Sequence, residues 1–475
     1  MKKKYDYDLI AIGGGGAGIT AVTLAHGLGK RAALVDVKKF GGECTWSGCV
    51  PSKALLHIAD TVNMSNVANP GSKPDTRRRN RVFQEVAAVI KYVYSNETPE
   101  HFKKSGIAAF ENTRAVFTDP HTIRLNDKPV TSSMFIITTG SRPAVPPVEG
   151  LEKIKYYTNE NIFSLSRLPV SMAVLGGGPI GIELASAFNR LGVNVSVVEM
   201  APGILPREDS ECSTLLADIL RSEGVKIITG ARVVRIDKKG TGSIILYEQK
   251  NGRKEKINAE IVLIAAGRKP NVEGLGLKQA GVRLGSTGII VSKTMLTSVN
   301  NIYAAGDVTG PFQFSHVANY QAILAVSNAF IPFKKKADYR NIPWCTFTDP
   351  ELARSGLTEK EAAERYKNHI RIYRVPYSNI DRAKTDVATN GLAKFICTKK
   401  GRILGIHILG KRAGEIIHEV HAAKTLGVPL HRLSSVIHIY PTYSEIVRLA
   451  ARDAYIDRIK NNPVVKLIGW LRSFK

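Results

Sequence analysis

From Asp8 the chain shows a pattern that later repeats. A short apolar run ends abruptly in four glycines, an amphipathic stretch follows, and a second apolar run closes on the acid Asp36. A run of that length bounded by glycine reads as a buried strand, and apolar residues at helical spacing after it read as a helix. The same order recurs from Ser171, 163 residues later, and closes on Glu199. Gly13, Gly15 and Gly18 fall on Gly176, Gly178 and Gly181, and 23 residues separate the first glycine from the acid in both copies. Each copy predicts strand, tight turn, helix and strand, the unit from which doubly wound α/β sheets are built.

Each position has a physical reason. The first glycine permits the turn, the second lets a pyrophosphate approach the backbone, and the third lets helix pack on strand. The helix start offers unpaired N–H groups and a positive dipole end to phosphate. The closing acid accepts hydrogen bonds from ribose hydroxyls. Two matching units predict that one chain binds two dinucleotides. Glu199 directs the second site towards NADH, because a carboxylate repels a 2′-phosphate and residues 200–205 contain no arginine.

Between the two copies lies Gly41-Gly42-Glu43-Cys44-Thr45-Trp46-Ser47-Gly48-Cys49-Val50-Pro51-Ser52-Lys53, ahead of a predicted helix over Ala54–Asp60. A thiol at a helix N-terminus has a depressed pKa, and Lys53 adds to the effect. Such a pair can cycle between dithiol and disulfide. A zinc half-site or two buried structural cysteines are the alternatives. Cys212, Cys345 and Cys397 supply no second paired motif, so no resident metal is expected.

The Gly-Gly-x-Cys-x4-Cys-x-Pro-Ser-Lys segment and the two dinucleotide units resemble the FAD-dependent pyridine nucleotide–disulfide oxidoreductases, the family that includes dihydrolipoamide dehydrogenase, glutathione reductase and mercuric reductase. Three later segments agree in order: Ile137–Pro143 is similar to the crossover into the nicotinamide domain, Ala266–Asn271 to the return strand, and Ile302–Val308 to the second FAD motif. The resemblance runs from Tyr7 to about Tyr455. It implies an α/β chain with two Rossmann-like domains and a C-terminal α+β dimerisation domain. The expected segments are 1–150 and 271–340 for FAD, 151–270 for NAD(P), 341–455 for dimerisation and 456–475 as a tail.

By resemblance, FAD is held by Gly13, Gly15, Gly18, Asp36, Gly42, Lys53, Thr139, Gly140, Asp307, Gln313 and His316. NAD(P)H uses Gly176, Gly178, Gly181, Glu199 and Gly267 and passes hydride to flavin N5. Cys49 is implied to be the charge-transfer thiolate and Cys44 the interchange thiol that meets substrate. Lys53 is implied to pair with Glu183 beside the flavin, the alternative being an ordinary solvated helix carboxylate. The substrate would be a small disulfide or a thiophilic metal ion, and the protein a homodimer.

One motif departs from the family. His438-Ile439-Tyr440-Pro441-Thr442-Tyr443-Ser444-Glu445 falls on the family's His-Pro-Thr-x-x-Glu, in which the Glu orients the acid/base His. Tyr440 stands where that His belongs, and a phenol with a pKa near 10 is a poor base at neutral pH. His438, two residues earlier on an extended segment, is a candidate substitute, and a packed or surface histidine is the alternative. Mercuric reductases and soluble transhydrogenases also carry Tyr here. No cysteine follows Cys397 to form the terminal pair of the former, and Cys49 is foreign to the latter.

Composition adds limits. Of 475 residues, 44% are hydrophobic and 23% charged, five are cysteine, and the formal net charge is +26. This describes a globular chain that is neither a disulfide-stapled scaffold nor membrane-spanning, with no signal peptide, expected in the cytoplasm. The stretch Asn69–Arg81 reads as an exposed basic loop. Residues 456–475 read as a basic amphipathic helix that either covers a groove on the partner subunit or touches an anionic membrane. No basic stretch interleaved with aromatics supports specific nucleic-acid binding. A transhydrogenase or NADH:acceptor reductase, and a redox-responsive membrane-associated binding protein, remain as alternative functions.

Overall fold

The computed structural model describes residues 5–68 and 76–465. These fall into two compact units, one drawn from 1–176, 235–244 and 259–338, the other from 177–234, 245–258 and 339–475.

In the first unit Tyr7–Ile12 lies between Ala32–Val35 and Lys128–Ile137, parallel to both, with Ile10 opposite Ala33 on one side and Phe135 on the other. Ala108–Phe110 extends the sheet beyond Ala32–Val35, and Ile302–Ala304 runs parallel to Lys128–Ile137. Strands covered on both faces are apolar throughout, which is why Leu9–Ile12 and Ala32–Val35 carry no polar side chain. Ile10, Val35, Phe135, Ile137 and Ile302 share a buried core with Phe117 and Ile123 of an antiparallel hairpin. The helices Gly16–Gly27 and Ser315–Phe330 pack against each other. Ser171–Leu175 pairs in parallel with Ile261–Ile264.

In the second unit Asn194–Val198 pairs in parallel with Lys226–Ile228. Pro179 occupies the first turn of the helix Pro179–Arg190, where its missing N–H costs nothing. Asp209 caps the helix Ser210–Ser222, accepting from the Glu211 N–H at 3.2 Å. An antiparallel sheet follows, in the order Pro343–Thr346, Glu351–Gly356, Ile403–Gly410, Leu392–Thr398, Ile370–Pro376. Phe395, Ile406 and Ile408 of this sheet meet Ile417 and Val420 of the helix Ala413–Thr425 and Ile446 and Ala450 of the helix Glu445–Lys460. Mixed α/β layers with a C-terminal α+β region are thus the architecture.

Three local expectations change. The helix after the redox segment runs Cys49–Ala68 rather than from Ala54, because Pro51 sits in the first turn, where proline is tolerated. Asn69–Arg81 is not a loop throughout, since Thr76 already begins the helix Thr76–Tyr94. Arginine is a good helix former, and the prolines and glycine of that stretch lie within 69–75, outside the described residues. Residues 456–460 complete the helix Glu445–Lys460 instead of opening a new one, and the amphipathic pattern from 466 lies outside the described residues. No described helix is long and apolar enough to cross a membrane.

Candidate active site

The two glycine turns have the same geometry. Gly13 has φ +115° and Gly176 φ +117°, and a Cβ there would lie 2.3 Å from Thr138 O and 2.4 Å from Ala265 O respectively. Only glycine fits so close an approach in that backbone region. Asp36 accepts from the Gly14 N–H at 2.6 Å and the Lys38 N–H at 2.7 Å. Glu199 does the same for Gly177, at 2.6 Å, and Ala201, at 2.7 Å. Each acid therefore closes its own turn, and each carboxylate oxygen keeps a lone pair for a ribose hydroxyl. Burial pushes the Asp36 carboxyl up from the usual range, against the pull of those two N–H bonds.

The backbones of Gly15 and Gly42 face one another so closely that a Cβ on Gly42 would sit 2.7 Å from the Gly15 Cα. Gly140 and Gly178 have no atom within 4 Å of a Cβ position. Bare backbone with open space before it is what a pyrophosphate needs, so both turns fit dinucleotides. Beside the first, Thr139 Oγ1 donates to Asn271 O at 2.6 Å and the Asn271 N–H donates to Gly140 O at 2.9 Å. Ala144 likewise donates to Gly267 O at 2.9 Å, so crossover and return segments are stitched together.

Cys44 lies in the short helix Gly42–Trp46, and Cys49 is the first residue of Cys49–Ala68. Both are thiols here, Cys44 half-buried and Cys49 exposed, which does not suit two buried structural cysteines. Cys49 Sγ is 3.6 Å from Ser315 Oγ, at the start of the helix Ser315–Phe330. A hydrogen bond with Cys49, then burial, then the Cys49 charge push the Cys44 thiol far up, and the Ser315 hydroxyl opposes them. Lys53 is half-buried one turn beyond Cys49. His316 stacks on Phe314 with ring centroids 5.4 Å apart, and Gln313 precedes that pair.

Several contacts of the expected residues escaped the sequence reading. Asp307 accepts from Ser141 Oγ at 2.6 Å, and burial pushes its carboxyl up against that bond. The buried Gln321 takes the Gly306 N–H at 2.7 Å and so fixes the turn before Asp307. Arg268 donates to Ser141 Oγ at 2.8 Å and forms a two-pronged ion pair with Glu43. Nothing in spacing could reveal a pair 225 positions apart.

In the second unit Glu183 is buried, and its Oε1 accepts from the Phe347 N–H at 2.9 Å, so it is not a solvated surface carboxylate. The Tyr440 hydroxyl donates to Asp381 at 2.9 Å, and that bond pushes the phenol above its ordinary pKa. His438 has both ring nitrogens engaged, Nε2 with Glu419 at 2.8 Å and Nδ1 with Val436 O at 3.0 Å. Both ring nitrogens thus face acceptors on its own chain. Glu445 is buried, Oε1 accepting from Arg448 at 2.6 Å and Oε2 without a partner. It orients neither Tyr440 nor His438.

Comparison with known proteins agrees with this geometry. Residues 7–322 match the pyridine nucleotide-disulphide oxidoreductase profile, and residues 342–451 match the dimerisation domain of the same proteins. The chain belongs to that family. It is similar to the mercuric reductase of Staphylococcus aureus, 33% identical over 452 residues that cover 94% of this chain and 82% of that one. The dihydrolipoyl dehydrogenase of Thermus scotoductus is 34% identical over 464 residues, covering 94% and 96%. Among solved structures, the HOCl-induced flavoprotein disulfide reductase RclA of Escherichia coli matches with a TM-score of 0.84 at 29% identity, over 94% of this chain and 99% of that one. Like the rest of the pyridine nucleotide–disulphide oxidoreductases, the chain is an FAD-dependent enzyme that couples a pyridine nucleotide to a sulfur group or a metal ion.

Proposed function

We propose that the protein reduces a thiophilic metal ion or a small disulfide at the expense of NADH, with Cys44 and Cys49 as the acting pair, and that it favours the metal ion. FAD would be held by the Gly13–Gly18 turn, Asp36, Gly42, Thr139, Gly140 and Asp307, and the nicotinamide dinucleotide by the Gly176–Gly181 turn, Glu199 and Gly267. Bound FAD supplies the two-electron relay between nicotinamide and the cysteines. Glu199 supports NADH, since both its oxygens face turn N–H groups and it leaves no cation for a 2′-phosphate. Arg207, the next basic residue, lies over the Trp344 ring. Lys53, one turn into the helix that Cys49 begins, is read as the charge that tunes the flavin.

For a disulfide, the Cys44 thiolate attacks one sulfur, the substrate S–S bond breaks and the leaving thiolate takes a proton. Cys49 then attacks Cys44, releasing the second thiol and closing the Cys44–Cys49 bond. For a metal ion the two thiols bind it as thiolates, giving up their protons to solvent. Two electrons from the nicotinamide then reduce one Hg²⁺ to Hg⁰ or two Cu²⁺ to Cu⁺.

The observation that carries the metal preference is Tyr440. A phenol with its pKa pushed up by Asp381 cannot take the proton of an incoming dithiol at neutral pH, whereas a soft ion needs no such base. Similarity to a mercuric reductase, and to RclA, which is also known as a Cu(II) complex, points the same way. The enzyme is read as a homodimer whose contact face includes the exposed Ile437, Ile439 and Tyr440. Initial rates with Hg²⁺, Cu²⁺, dihydrolipoamide and oxidised glutathione, for wild type, Cys44→Ser and Tyr440→His, test the reading. Wild type should turn over metal ions and be slow with dihydrolipoamide, and Tyr440→His should raise the dihydrolipoamide rate. Unchanged metal turnover in Cys44→Ser would sink it.

A further inference from the structure

The position between Gly42 and Cys44 is left open by the cysteine motif, and thiol chemistry does not ask for a carboxylate there. Yet Glu43 is anchored on all sides. Its Oε1 accepts from Arg268 Nη1 at 2.6 Å and Asn159 Nδ2 at 2.5 Å, and its Oε2 accepts from Arg268 Nη2. The pair is sheltered, with side chains 12% and 27% exposed. Two-pronged guanidinium–carboxylate pairs fix orientation as well as distance.

The anchor extends in both directions. The Arg268 Nε–H donates to Ser141 Oγ at 2.8 Å, and the Ser141 hydroxyl donates on to Asp307 Oδ2 at 2.6 Å. Asn159 Nδ2 also donates to Ser47 O at 3.1 Å, so the bend between the cysteines is tied to the same point. Thr45 donates to Glu97 at 2.8 Å and Trp46 Nε1 to Phe40 O at 2.7 Å. The helix carrying Cys44 has five residues, too few to hold itself, so such anchors decide where its sulfur sits. Of the contacts named, Glu43 alone makes an ionic one, and it alone leads on to Asp307.

We propose that Glu43 is a positioning residue for Cys44: its clamp on Arg268 holds the short helix so that the two sulfurs stay within reach, and Arg268 and Ser141 keep Asp307 in register with them. This rests on the reading of Cys44 and Cys49 as the acting pair. Loss of the carboxylate leaves Arg268 to Ser141 and to Asp307, 3.8 Å away, and frees the helix. Chemistry at Cys44 then slows, whereas electron flow that stops at the flavin never meets Cys44.

The test uses the FAD-loaded enzyme and two acceptors. One is 5,5′-dithiobis(2-nitrobenzoic acid), a small disulfide, and the other is ferricyanide, which draws electrons without thiols. Glu43→Gln, nearly isosteric, should lower kcat with the disulfide about 10- to 100-fold at a similar KM, the cost of displacing a reacting group by about 1 Å. Its ferricyanide rate should stay within about twofold of wild type. The exchanged pair Glu43→Arg with Arg268→Glu should recover part of the loss. If Glu43→Gln fails to yield soluble enzyme, Asn159→Ala should give a smaller loss of the same selectivity. Equal falls with both acceptors would mean a merely structural role and overturn the proposal. A normal disulfide rate in Glu43→Gln, with Cys44→Ser inactive, also overturns it. A normal rate in Cys44→Ser removes the redox reading itself and the proposal with it.

Discussion

Lys394→Met is the sharpest test of how the second unit is held together. Lys394 and Asp209 are each 2% exposed, and Nζ lies 2.7 Å from Asp209, 2.7 Å from Glu211 and 2.6 Å from Glu359. Burial alone would pull the ammonium down, but the three carboxylates outweigh it and raise its pKa to about 12, so it is charged at pH 7. On loss of the lysine, Glu211 and Glu359 still share Arg374, at 2.9 and 2.7 Å. Asp209 keeps only the N–H groups of Glu211, at 3.2 Å, and Glu359, at 3.0 Å. It cannot turn to solvent, because it caps the helix Ser210–Ser222.

Stranding a buried charge costs about 3–5 kcal/mol, and the two remaining N–H bonds place the expectation at about 3. Methionine fills the stem's volume, so the cavity contribution is small. For a unit of this size that is roughly 6–12 °C in Tm, read by circular dichroism at pH 7 with saturating FAD. Adding Asp209→Asn should recover roughly 2 kcal/mol by removing the stranded charge. A shift of under about 2 °C, or no recovery in the double variant, would refute the reasoning.

Burial pulls His407 down to about 4 from 6.5, so below pH 6.5 the unfolded chain takes a proton that the folded one refuses. Stability should rise by about 3 kcal/mol from pH 4 to 6.5 and be complete above, and His407→Gln should flatten that slope in Tm against pH. Gly18→Ala would place a Cβ 1.8 Å from the Gly13 carbonyl oxygen, and FAD affinity should fall at least about tenfold by fluorescence titration; wild-type affinity would refute the packing argument. Gln321→Leu strands the buried Gly306 N–H at a cost of about 1–3 kcal/mol, which an unchanged thermal midpoint would contradict.

The dinucleotide turns and the thiol pair were legible because each depends on residues close in sequence whose types are dictated by backbone geometry or sulfur chemistry. Gly13 and Gly176 must be glycine whatever surrounds them, and Cys49 needs only the helix start it occupies. The contacts that hold these elements were not legible. Glu43 meets Arg268 and Tyr440 meets Asp381 only after the chain has folded, and no periodicity marks them. The Asn69–Arg81 stretch misled because its glycine and prolines stand next to arginines that join a helix. Tyr440 was legible as a departure, but its pairing with Asp381, which deepens the departure, was not.

Asp36 and Glu199 close their turns before any nucleotide arrives, and this limits how the protein could change coenzyme. Replacing Glu199 by a neutral or basic residue, the obvious route to accepting a 2′-phosphate, would also release the Gly177 and Ala201 N–H groups and let the phosphate loop open. A single substitution would therefore trade selectivity for a disordered loop. On the proposed use of NADH, a change to NADPH would call for a cation gained elsewhere before the acid is lost, because the acid serves the loop as well as the ribose.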